Sequence, residues 1–223
     1  MGSEMCIRDS VETGAPWPDS FCHQAQPILA KEEGSKGRHP LKQRCLTLES
    51  VFYAPWTGVR YNDPAVVTWR ESWMKNTMRG GRRLGCTRDI TYKLTAIWER
   101  CHHSKMNVTS LFLDRAKCFD RIDRDIINNL LRTMGAPLSV VEPRLRLHGS
   151  SRRYFKISNC YSNGHTAANG VPQGCAFSID DINALMVVSM NAIESVAPDT
   201  ITDVYIDDTT ITAYGEDRHG QIV

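Results

Sequence analysis

Residues 201–214 read Ile-Thr-Asp-Val-Tyr-Ile-Asp-Asp-Thr-Thr-Ile-Thr-Ala-Tyr, and they decide the fold class. Ile201–Ile206 and Thr209–Tyr214 are rich in β-branched residues and alternate, so each predicts a strand. The pair Asp207-Asp208 between them predicts a hairpin with two carboxylates at its tip. Like charges that close repel unless a cation neutralises them. Asp is also an ordinary turn residue, so the four residues 205–208 decide little alone.

Working outward from the hairpin, helices and strands mix. Ser178 predicts the cap of a helix running to about Ala197. Asp123–Met134 carries an apolar stripe of Ile126, Ile127, Leu130, Leu131 and Met134, with Gly135 placed to stop a helix. Pro137–Leu147 predicts another helix, interrupted near Pro143. Asn107–Asp114 is apolar on both faces, which predicts a central strand. Helical patterns occupy 49–60, 64–79 and 87–102. Arg153–Ser158 reads as a strand, and residues 27–30 and 41–48 as a strand pair around a charged, Gly-rich turn. Residues 11–25 read as a loose arm. The string Met5-Cys-Ile-Arg-Asp-Ser10 has the look of translated adapter sequence, so residues 1–10 stand outside the fold argument. With an antiparallel ending on a mixed order, the class is α+β.

The chain has 223 residues, 41% hydrophobic and 23% charged, which excludes global disorder. No apolar run approaches the roughly 18 residues of a membrane span. Eight cysteines without a CxxC pair do not have the look of a zinc site or of a compact disulfide framework, and no secretory leader is evident. The expected location is therefore intracellular, in cytoplasm or nucleus. Cys101-His102-His103 reads as a polar helix end, because adjacent helical residues point in different directions.

The net charge of +2 hides an asymmetry: residues 70–93 carry +5, residues 144–156 +5 and residues 199–217 −6. Two basic zones and one acidic zone suit a polyanion that meets a carboxylate cluster, although solvated helix faces also carry such runs.

Three segments carry chemistry. In Leu111-Phe-Leu-Asp114-Arg-Ala-Lys-Cys-Phe119-Asp120, an acid ends an apolar strand, a costly place unless it meets a metal, a base or a proton. Gly170-Val-Pro-Gln173-Gly-Cys175 predicts a loop whose backbone approaches a ligand closely. The third is Tyr205-Ile-Asp207-Asp208.

Together these resemble motifs A, B and C of a reverse-transcriptase palm: an Asp followed by K-A-F-D, then G-x-P/R-Q-G-C, then Y-x-D-D. Ile28-Leu-Ala-Lys31 and Arg44-Cys-Leu-Thr resemble the family's fingers segments. Gly80-Gly-Arg-Arg-Leu-Gly85-Cys-Thr-Arg-Asp89 resembles a segment of the non-LTR retrotransposon enzymes. The likeness covers about residues 26–215 and implies fingers over 26–106 and a palm over 107–223, an antiparallel sheet backed by helices. Cys45, Cys118 and Ala176-Phe-Ser-Ile179 depart from the usual family residues. Residues 1–25 thus read as a leader or unstructured stretch, and the resemblance implies that a thumb and primer grip belong to a longer polyprotein. The isolated chain is then expected to bind primer–template poorly.

The implied activity is RNA-directed DNA synthesis by two-metal phosphoryl transfer. Asp114 and Asp207 would bridge two Mg²⁺ ions, with Mn²⁺ a possible substitute, and Asp208 would complete the cluster. Lys31 and Arg44 would hold the triphosphate of a dNTP. Gln173 would meet the incoming nucleotide and the template, RNA or DNA. Tyr205 would approach the primer end. Arg82, Arg83, Arg152 and Arg153 would meet the nucleic-acid backbone. Phe119 stands where the family places a steric gate against a 2′-hydroxyl. This favours DNA synthesis over an RNA-dependent RNA polymerase, which usually has Asp at that spacing; a core aromatic is the other reading of Phe119. An inactive remnant that only binds nucleic acid, and a domesticated polymerase-like protein, stay open.

Overall fold

The computed structural model describes residues 8–30 and 43–215. After a short helix at 8–12 and a 3₁₀ turn at Asp19–Phe21 come β1 (His23–Ala30), β2 (Gln43–Cys45), α1 (Tyr53–Tyr61), α2 (Pro64–Trp73) and α3 (Thr87–His103). Then follow β3 (Val108–Leu113), α4 (Cys118–Arg121), α5 (Arg124–Thr133), α6 (Leu138–Ser150), β4 (Arg152–Ile157) and β5 (Cys160–Tyr161). The chain ends through α7 (Ser178–Val196), β6 (Ile201–Tyr205) and β7 (Asp208–Tyr214). No helix among the described residues is long and apolar enough to cross a membrane. The chain divides into two compact units. One is drawn from the chain up to Arg70 and Phe119–Ser178, the other from Glu71–Cys118 and from Ile179 onward.

The first unit holds a four-stranded sheet in the order β2-β1-β4-β5. The expected pairing of β1 with β2 is present, with Leu29 opposite Arg44. On its other edge β1 runs parallel to β4, His23 opposite Arg152 and Pro27 opposite Lys156, so this sheet is mixed. Residues 11–25, read as a loose arm, are built into this unit. Val11, Trp17, Phe21 and Cys22 belong to its core, together with Tyr53, Trp56, Val140, Leu147 and Phe177. The Trp17 ring stands edge-on to Tyr53 at 5.4 Å and to Trp56 at 5.6 Å. Such aromatic pairs are each worth about 0.5–1.5 kcal/mol beyond the area they bury. Trp17 Nε1 donates to the Pro143 carbonyl at 2.7 Å, and the Glu12 carboxylate pairs with Arg60 at 2.5 Å.

Two helices of this unit refine the reading from sequence. α5 is capped by Asp123, which accepts from the backbone nitrogens of Asp125 and Ile126. Its inner face is Ile127 and Leu131, while Ile126 points outward. α6 runs through Pro143 without a break. Proline removes one backbone donor, and the surrounding core holds the rest of the helix in line.

The second unit holds an antiparallel sheet in the order β3-β7-β6. β3 was expected to be central, but it is an edge strand, and Phe112 is 60% exposed. The central place goes to β7, whose residues Thr209–Ala213 are buried and which pairs on both sides. Thr77 and Arg79 add to the β6 edge. Val204 N donates to the Thr77 carbonyl at 3.0 Å, and Arg79 N donates to the Val204 carbonyl at 2.9 Å. Beneath β6, Lys93 Nζ reaches both oxygens of the buried Asp203 at 2.7 and 2.9 Å. One acid of the negative zone is therefore a structural ion pair rather than a free ligand. Lys93→Met strands that carboxylate. Because the Lys93 head keeps some water, the expected loss is about 2–3 kcal/mol, below the ~3–5 of a fully buried pair. Urea unfolding at neutral pH measures it.

Candidate active site

The register of the second unit brings the acidic residues together. Leu113 pairs with Thr209, so continuing that register by one residue sets Asp114 opposite Asp208. Tyr205 pairs with Asp208, so the loop of the hairpin is Ile206-Asp207 rather than Asp207-Asp208. Ile206 has φ +59°, the left-handed region that a type II′ turn needs at its first central position and that glycine normally fills. A β-branched residue there is strained, and strain of this kind collects at functional sites. Two features hold the turn. Asn183 Nδ2 donates to the Gly80 carbonyl at 2.9 Å, and a side chain on Gly80 would stand 2.5 Å from Ile206 Cγ1.

Asp114 and Asp208 are exposed and Asp207 is half-buried. Among the described residues none of the three forms an ion pair. Arg115 instead donates to Thr209 Oγ1 at 2.9 Å and to the Asp207 carbonyl at 3.4 Å. Partial burial pushes the Asp208 carboxyl up, and the like charges of Asp207 and Asp114 push it further. Burial and Asp207 likewise raise the Cys118 thiol, against a smaller opposing effect of Arg115. Three carboxylates without an ion-pair partner among the described residues, two of which raise the cost of ionising Asp208, suit hard dications, which take oxygen ligands. The donor set thus fits Mg²⁺ or Mn²⁺.

The remaining candidates of this unit are Tyr205, half-buried beside the turn, Arg83, which is exposed, and Arg82. The Arg82 guanidinium donates to the Met74 carbonyl at 2.6 Å, so it ties a loop as well as carrying charge. Asp89 caps α3, accepting from Cys86 N at 3.2 Å. That is a physical reason for the Asp of the Gly80–Asp89 segment.

Arg44, Phe119, Gln173, Arg152 and Arg153 belong to the first unit, and Lys31 lies outside the described residues. Arg44 is exposed on β2, Phe119 and Gln173 are half-buried, and Arg152 faces water. Arg153 faces inward at 7% exposure, within the field of Asp120 and Glu49, and is poorly placed to meet a nucleic-acid backbone.

The glycines of the Gly170–Cys175 loop approach protein backbone rather than open space for a ligand. Gly170 has φ +86°, and a Cβ there would lie 2.9 Å from the carbonyls of Phe119 and Asp120. Val171 N donates to the Phe119 carbonyl at 2.8 Å, and Gly170 N donates to that of Ile122 at 2.7 Å. Gly174 would meet the Thr47 carbonyl at 2.6 Å. The loop and the Phe119 backbone are stapled together.

Arg124 was not singled out in the sequence, where it reads as one more charge at a helix start. Its guanidinium donates to the carbonyls of Gly170, His148 and Asn169 at 2.7, 3.0 and 3.3 Å. Burial, and then Arg153, lower its pKa to about 10.

The second unit is thus an antiparallel sheet with one acid after its edge strand and two more at the adjoining hairpin. The family model described as reverse transcriptase (RNA-dependent DNA polymerase) matches residues 68–223. The chain belongs to that family. Among solved structures, apo telomerase from Candida tropicalis truncated from its C-terminal domain superposes with a TM-score of 0.60 at 12% identity, over 94% of this chain and 46% of that one. Telomerase from Candida tropicalis with a TWJ fragment of telomeric RNA gives 0.61 at 11% identity, over 99% and 40%. Telomerase from Candida albicans with the same kind of fragment gives 0.55 at 10% identity, over 98% and 42%. At such identities the likeness is one of fold, and the chain spans less than half the length of each. No curated protein matches the sequence.

Proposed function

We propose that the chain is the fingers-and-palm part of an RNA-directed DNA polymerase, with fingers over 26–106 and palm over 107–223. It would extend a primer with dNTPs on an RNA or DNA template. The observation that carries this reading is the convergence of Asp114, Asp207 and Asp208 at one end of the β3-β7-β6 sheet, without an ion-pair partner among the described residues.

Asp114 and Asp207 would hold the metal ions, with Asp208 beside them. Mg²⁺ bound there supplies charge neutralisation for the triphosphate and favours the ionised primer 3′-hydroxyl. The protein's own part is positioning and the exclusion of wrong geometry. The strained turn fixes Asp207 against β7. Tyr205, at the end of β6, would support the primer terminus. The 3′-oxygen attacks the α-phosphorus in line, the new P–O bond forms and pyrophosphate leaves. Arg44, with Lys31, would hold the triphosphate through charge-assisted hydrogen bonds. Arg83 and Arg152 would meet phosphates, and binding should weaken steeply with salt.

Phe119 would act as the sugar gate. Its carbonyl is fixed by Val171 N, so its place in the chain is set by the neighbouring loop. Phe119→Val is expected to lower discrimination against ribonucleotides at least about tenfold, the effect of losing one well-placed steric contact. Single-nucleotide incorporation of dNTP and NTP on the same primer measures the ratio, and an unchanged ratio overturns the role.

A non-LTR retrotransposon is the favoured source, from the Gly80–Asp89 pattern, with an intracellular setting and a longer polyprotein around the chain. The test is extension of a labelled DNA primer on an RNA template with dNTPs and Mg²⁺. Templated extension supports the reading. Nucleic-acid binding without incorporation points to an inactive remnant, and preferential NTP incorporation to an RNA polymerase.

A further inference from the structure

The first unit buries a second cluster that the polymerase reading does not use. Glu49 follows β2, His148 lies in the last turn of α6, and Cys175 ends the loop that carries Gln173. One ligand-type atom from each lies within 4.8 Å of the other two. His148 is 6% and Cys175 4% exposed. His148 Nε2 is buried without a hydrogen-bond partner, and the buried Glu49 carboxylate accepts a hydrogen bond from the Cys175 thiol. An unpartnered buried imidazole nitrogen costs about 1–3 kcal/mol, so its place beside a buried carboxylate and a thiol requires an explanation. The Cys175 thiol lies beside them, facing the Glu49 carboxylate and 3.7 Å from the Tyr53 hydroxyl.

We propose that Glu49, His148 and Cys175 bind one transition-metal dication, zinc by their donor set, at a structural site separate from the carboxylates of β3 and β7. A sulfur, an imidazole nitrogen and a carboxylate oxygen are zinc's usual ligands, and the thiolate and imidazole disfavour magnesium. Zinc bonds of about 2.0–2.3 Å in a tetrahedron place donors roughly 3.3–3.8 Å apart, so a closing of about 1 Å completes the site. Three protein donors leave a fourth position for water or the Tyr53 hydroxyl. Cys175 loses its thiol proton to solvent on binding, and thiolate plus carboxylate cancel the dication. Arg144 and Arg153, which face Glu49, and Arg124, which joins them around His148, then meet a neutral centre. These cations also favour deprotonated ligands and a neutral imidazole.

The site would join the segment after β2, the end of α6 and the Gly170–Cys175 loop. Its ion would brace the loop two residues from Gln173, which makes it a positioning device rather than a catalytic one.

The test uses the whole chain, stripped with chelator and kept in excess Mg²⁺, to which Co²⁺ and then Zn²⁺ are added. The expected result is one bound cobalt with a near-ultraviolet thiolate-to-cobalt charge-transfer band, displaced by one equivalent of zinc, with a raised melting temperature. Cys175→Ser should abolish the band, and His148→Gln should weaken binding at least tenfold. Cys160→Ser, at an exposed thiol, should leave the band unchanged. If Cys175→Ser does not fold, protection of one thiol from modification by zinc in the unaltered chain replaces it. Absence of the band in the unaltered chain, a band that survives in folded Cys175→Ser, or zinc that protects no thiol overturns the proposal.

Discussion

Asp207→Asn is expected to lower primer extension at least about a thousandfold, the scale of removing one preorganised charge from a phosphoryl-transfer site. The same substitution is expected to leave the melting temperature unchanged or slightly raised. Asp207 is the second residue of a two-residue loop, and Asn is tolerated there as well as Asp. Its charge burdens Asp208 and Cys118, so removing it relieves like-charge pressure. Activity and stability should therefore move in opposite directions, as they do where a functional site is held at a cost to the fold. Steady-state incorporation, filter binding of primer–template and a thermal melt on the same preparation separate the outcomes. A loss of activity accompanied by a fall in melting temperature would mean that Asp207 is structural. Retained activity would remove it from the metal-binding set.

The acids were legible in sequence because they sit in the most local element of the fold. A hairpin is fixed by neighbouring residues, and β-branched alternation around Asp207-Asp208 announces it. The detail that was not legible is the turn itself. Nothing about an isoleucine marks it for a positive φ, and the structure places Ile206 there because Gly80 and Asn183 close around it. Longer-range features left weaker traces. β1 pairs in parallel with β4 across more than a hundred residues, and no local pattern records such a partner. Val11, Trp17 and Phe21 enter the core from a short helix, a loop and a 3₁₀ turn, where neither helical nor strand periodicity develops. β3 carries apolar residues on both faces, the pattern of a buried strand, yet it lies at an edge. Charge was misleading in a particular way. Asp203 and Arg153 counted toward charged zones and Arg124 read as one more helix-start charge, but each is turned into protein. Composition cannot distinguish a charge facing water from one that holds a loop.

Gly80→Ala is expected to disturb the active turn directly. The added Cβ would stand 2.5 Å from Ile206 Cγ1 and 2.7 Å from the Ile206 backbone nitrogen. A flexible side chain could swing away, but a backbone nitrogen in a strained turn cannot. Nor can Gly80 retreat, because Asn183 holds its carbonyl and Arg79, its neighbour, is bonded to Val204 on β6. The hairpin must therefore shift. Overpacking at a rigid site costs about 1–3 kcal/mol, and displacing a catalytic group by about 1 Å costs roughly a hundredfold in rate. Both losses are expected here, with Asp207 moving together with Ile206. Gly58→Ala is the matched control, since nothing lies within 4 Å of a Cβ in the middle of α1. There the same methyl group should leave activity unchanged and add about 0.5–1 kcal/mol of stability, the difference between alanine and glycine in a helix. Urea unfolding and primer extension on the two variants separate a site packed against the active turn from a glycine that is merely tolerated. Equal behaviour of the two would mean that Gly80 can yield and that the turn does not depend on it.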